Sequence, residues 1–74
     1  MAFDFRKLEG RIVEKFGTRS NFAVAAGFTN SQLSARLNNR VFFDSDEIIR
    51  MCAPDLLDIP EMDIPTYFFT QLFR

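Results

Sequence analysis

The chain has 74 residues, with ten Phe, no Trp, no His, a single Cys and a formal net charge of −1. That length leaves room for one core and not two, so a single domain is expected over residues 1–74. The lone Cys52 excludes an internal disulfide, the lack of His removes any plausible zinc ligand set, and no apolar run nears the roughly 18–20 residues a bilayer span needs.

Phe5, Leu8, Ile12 and Phe16 recur at steps of three, four and four, one stripe of an amphipathic first helix that stops at Gly17. Asp4 is its expected N-cap, with Phe3 and Leu8 spaced as a hydrophobic staple. The next stretch, TRSNFAVAAGFTNSQLSARLNN from Thr18 to Asn39, reads as two short helices joined by a tight turn. Thr18 caps the first of them, Gly27 supplies the left-handed residue that ends it, and Ala23 and Ala26 are small enough for the second helix to pack close. One continuous helix is disfavoured, because an interior Gly27 would weaken it by roughly 1 kcal/mol.

Thr29 and Gln32 have capping-box spacing, with Phe28 and Leu33 as the staple around them; Asp44 and Glu47, flanked by Phe43 and Ile48, repeat the device. Helices are therefore expected to begin at Asn30 and at Ser45. Pro54 cannot sit in a continuous helix, so the fourth helix should kink or restart there. Pro60 and Pro65 break the segment after Leu57 into short turns, and the closing YFFTQLF is either a short helix or an extended arm. No strand pattern is convincing. The expected fold is all-α, four or five short helices around one core, with the helix-turn-helix proper at 18–39 and an apolar tail at 64–74. Cys52, within IIRMC, is expected as a buried core thiol.

Charge is segregated along the chain. Residues 15–43 carry Lys15, Arg19, Arg36 and Arg40 with no acid over 29 positions, whereas residues 44–63 set seven carboxylates against Arg50 alone. In the helix expected at 30–38, Leu33 and Leu37 point inward, which leaves Asn30, Ser31, Ser34 and Ala35 on the opposite face of a rod about 13 Å long. Asn30 and Ser31 suit hydrogen bonding to base edges, Ser34 lies beside them, and Ala35 suits a thymine methyl. Gln32 is either a cap or a base reader. Arg19, Arg36 and Arg40, with Asn38, are the expected phosphate contacts. The acidic segment has two readings: helix-capping and turn residues, or a surface that repels DNA and attracts a basic partner. Tyr67, Phe68, Phe69, Leu72 and Phe73 either fold back on the core or form an oligomer or partner interface.

The runs FDFRKLEGRIVEKFGT, NFAVAAGFTNSQLSARLNN and RVFFDSDEIIRMC resemble the small helix-turn-helix regulators of temperate phages, the Cro-like and lambda-repressor-like group, across nearly the whole chain. In that group the first elbow helix opens with a phosphate-clamping Gln, where this chain has Arg19. The resemblance implies a lambda-repressor-like domain that binds a double-stranded DNA operator as a homodimer, with helix 30–38 in the major groove, in the bacterial host cytoplasm at the nucleoid. The leading expectation is thus a sequence-specific transcriptional regulator. The alternative is a phage modulator or antirepressor that binds a partner repressor through its acidic, Phe-rich C-terminal half. The near-neutral charge and the small side chains of helix 30–38 motivate it. No enzyme is expected, since the chain lacks His, a phosphate loop and converging carboxylates; no cofactor, metal or small-molecule substrate is expected either.

Overall fold

The computed structural model describes residues 2–72. Five α-helices succeed one another: α1 Arg6–Phe16, α2 Arg19–Ala26, α3 Asn30–Leu37, α4 Ser45–Met51 and α5 Ile64–Phe68, the last preceded by a 3₁₀ turn at Glu61–Asp63. The fold is all-α, as expected. Among the described residues, extended pairing is limited to one antiparallel bridge between Phe3 and Gln71. No helix among them is long and apolar enough to cross a membrane.

Local chemistry sets most helix ends. Thr18 Oγ1 accepts the Asn21 N–H at 3.1 Å, and Gly27 closes α2 at φ 81° with its N–H turned back to Ala23 and Val24. Both capping boxes form. Thr29 Oγ1 accepts from Gln32 N–H while Gln32 Oε1 accepts from Thr29 N–H, and Asp44 and Glu47 do the same at α4. α1 is the exception. It starts at Arg6 with Phe5 in the cap position and no side-chain cap, because the Asp4 carboxylate turns instead to the Arg6 N–H and guanidinium. The hydrogen bonds from the Arg6 side chain hold the Asp4 carboxyl at about 2.

Glycine position decides the sign of an alanine substitution. A Cβ on Gly10, inside α1, or on Gly27 would meet nothing within 4 Å, but Gly27 has φ +81°. Gly10→Ala is therefore expected to stabilise by roughly 0.5–1 kcal/mol through helix propensity, and Gly27→Ala to destabilise by about 1–2 kcal/mol through left-handed strain. Thermal denaturation of the two variants should shift Tm in opposite directions.

The core is built from the expected stripes. Phe5, Leu8 and Ile12 of the first segment meet Phe22, Ala23 and Ala26 of α2, Leu33 and Leu37 of α3, and Ile48 and Met51 of α4, all buried. Leu57, Ile59 and Phe68 close it from the C-terminal side. Cys52 is in this core, and burial raises its thiol pKa. α4 stops at Met51 and gives way to turns before Pro54, so the helix neither kinks through the proline nor restarts after it until the 3₁₀ turn.

Candidate functional site

The elbow α2–turn–α3 presents Asn30 and Ser31 to solvent, with Ser34 and Ala35 half-buried beside them. Gln32, a cap or a reader by its position in the sequence, spends its amide oxygen on the Thr29 N–H. Asn38 comes after the end of α3 and donates to Ser34 Oγ at 3.1 Å.

The basic side chains are not free as a set. Arg19 is ion-paired with Glu9 of α1. Arg36 forms a two-pronged pair with Glu47 of α4, Nε to Oε1 at 2.9 Å and Nη2 to Oε2 at 2.8 Å, with only 16% and 13% of the two side chains exposed. That bond lowers the Glu47 pKa and raises that of Arg36. Phe28 lies beneath it, its ring centre 5.4 Å from the Arg36 guanidinium carbon and 5.1 Å from that of Arg50. Arg50 also donates from Nε to the Ala26 carbonyl at 2.8 Å, tying α4 to the end of α2. The run that contains no acid along the chain thus meets two carboxylates in space. Of its cations, Arg40 and Lys15 are exposed and have no ion pair among the described residues.

The C-terminal half has the opposite character. Asp46, Asp55, Asp58, Glu61 and Asp63 are exposed and enter no ion pair among the described residues. Five rings run in contact from the tail to α5: Phe69 on Phe3, Phe3 on Phe5, Phe5 on Phe43, and Phe43 on Phe68, at centroid separations of 5.3–6.1 Å. Asn39, at φ 63°, holds the N-terminal segment in this array by exchanging two hydrogen bonds with the Phe3 backbone at 2.8 and 3.0 Å. The tail is a short helix and then an extended arm, held by Asp4 N–H to the Thr70 carbonyl and Leu72 N–H to the Ala2 carbonyl.

The tail residues divide. Phe68 is core at 1% exposure, Tyr67 is half-buried beneath the Lys7 ammonium, and Phe69 and Leu72 remain exposed; Phe73 lies outside the described residues. Exposed apolar side chains also occur where the sequence offered no signal beyond composition: Phe42, Ile49 and Met62 are 77%, 68% and 85% exposed.

A family model described as a protein of unknown function (DUF739) matches residues 1–71. The chain belongs to that family. It is also similar, at 40% identity and a TM-score of 0.80, to the solution structure of the modulator of repression of the temperate bacteriophage TP901-1 from Lactococcus lactis, over 93% of this chain and 90% of that one. No curated protein matches it.

This likeness corrects the leading expectation of a Cro-like regulator seated on operator DNA, because the similar protein is a modulator of repression. The physical reason the expectation misled is the charge count along the chain: Arg19 and Arg36, two of the three arginines assigned to phosphates, are held by Glu9 and Glu47.

Proposed function

We propose that this family member is a modulator of repression: it binds the repressor protein of a temperate phage and redirects it, without catalysis and without a cofactor. The observation that carries the proposal is the 40% identity to such a modulator over 93% of the chain. The distribution of free chemistry supports it. The basic side of the elbow is largely consumed within the fold, whereas the acidic and apolar groups of the C-terminal half remain available to a partner. In this reading the α2–turn–α3 elbow is a frame for a protein-binding surface, the whole chain acts as one domain, and its place of action is the host cytoplasm, where the repressor works.

Calorimetric titration of the full chain with the repressor of the phage that carries its gene tests this. A saturable complex is expected, with an affinity unchanged within about twofold when Asn30 and Ser31 are both replaced by Ala, since their side chains take no part in binding. Absence of heat and of co-elution at micromolar concentrations overturns the proposal.

A further inference from the structure

The second half carries a groove distinct from the aromatic array. Its walls are Ile49 and Cys52 of α4, Ile59 and Glu61 of the connecting segment, and Ile64 at the start of α5. Ile49 is largely exposed, as is Met62 in the turn that carries Glu61, so the apolar surface is unsatisfied by the fold itself. Its margin is acidic. Asp46 precedes Ile49 by three residues and so shares its side of α4, and Glu61 and Asp63 lie in the 3₁₀ turn; none of the three has an ion-pair partner among the described residues. The one cation of α4, Arg50, is drawn away to the Ala26 carbonyl and the Phe28 ring.

Resting on the function proposed above, we infer that this groove receives a basic amphipathic helix of the repressor partner. An apolar ridge of that helix fills the space over Ile49, Ile59 and Ile64, and flanking Lys or Arg residues pair with Asp46, Glu61 and Asp63. Charge selects this occupant over the others. Nucleic acid and anionic lipid are repelled by the rim, and a second copy of the chain meeting it face to face would set like carboxylates against one another. A peptide helix with apolar side chains at i, i+3 or i+4 and i+7 has the matching form.

The test is titration of the full chain with that repressor, read by calorimetry and by amide shifts. Two double variants are compared with wild type, Ile49→Ser with Met62→Ser and Glu61→Lys with Asp63→Lys. All four positions are exposed, so circular-dichroism melts should match wild type. Each double variant is expected to bind at least tenfold more weakly, the charge pair losing its salt dependence as well, and amide shifts should centre on residues 49, 59 and 64. If the repressor binds wild type and both variants equally, with shifts confined to Phe42 and Phe69, the groove assignment is wrong while the proposed function stands. If the repressor does not bind wild type, the proposed function fails, and a 16-residue Leu/Lys amphipathic helical peptide then tests the groove alone. Saturable binding that both variants abolish keeps the groove as a receptor for basic helices, and no binding overturns it. Salt-insensitive self-association through these residues would also overturn it.

Discussion

Arg36→Ala is expected to cost this chain about 2–3 kcal/mol of unfolding free energy, somewhat below the roughly 3–5 kcal/mol typical of a fully buried pair because both partners keep slight exposure. The loss has three sources. Glu47 would retain a poorly solvated carboxylate without its two donors, the Phe28 ring would lose one of its two guanidinium neighbours, and α3 would lose its tie to α4. Glu47→Ala should be at least as costly, since the same carboxylate accepts the Asp44 N–H in the capping box of α4. The double replacement Arg36→Met with Glu47→Leu should recover most of the loss, because no charge is then stranded. Arg40→Ala should change stability by no more than about 0.5 kcal/mol, as expected for an exposed side chain with no ion pair among the described residues. Denaturant unfolding of the four variants checks this set, with equal small losses at Arg36 and Arg40 as the contrary result. The pH dependence has a definite sign. The folded pKa of Glu47 is depressed below its usual 4.5, so its contribution is fully present above that value and is lost as pH falls through the folded pKa. Glu47→Gln should flatten that part of the acid limb.

Phe68 and Phe69 are adjacent and are expected to behave in opposite ways. Phe68 is 1% exposed and stacks edge-on against Phe43 at 5.3 Å. Its replacement by Ala should cost about 3–5 kcal/mol, which is comparable with the whole stability of a chain this short. Phe69 is 49% exposed and meets Phe3 at 5.8 Å, so Phe69→Ala should cost no more than about 1 kcal/mol. Thermal melts of the two variants distinguish them; near-equal Tm values would contradict the burial assigned to Phe68. Removing residues 67–74 outright would take Phe68 with the tail, and the resulting loss of binding would report unfolding rather than a lost contact.

The helix starts are legible in the sequence because a cap is a local event. Thr29 with Gln32 and Asp44 with Glu47 are each three residues apart, and the backbone groups they satisfy lie in the same turn. Asp4 fails as a cap for an equally local reason: Arg6, two residues on, offers its carboxylate a charged fork and a backbone N–H together. The functional surface is legible only in part. Charge counted along the chain is one-dimensional, so it does not see that α1 and α4 return Glu9 and Glu47 to the basic run. The spacing of Glu47 marks it as a capping residue, and nothing in that spacing reveals a second partner 11 positions away. Arg50 reads as a lone cation in an acidic segment, although it is spent on Ala26 and Phe28. In the tail, Phe68 folds back on the core while Phe69 and Leu72 stay exposed, because the arm after α5 turns back to pair with the N-terminal segment.

Whether the chain acts on a repressor or on an operator is decided by an electrophoretic shift at low salt, with the phage repressor, the operator DNA that repressor binds, and this chain. Action on the repressor predicts no shift by the chain alone and a repressor shift that changes as the chain is added in stoichiometric amounts. A shift by the chain alone, with the repressor's shift unaltered by its presence, would contradict it.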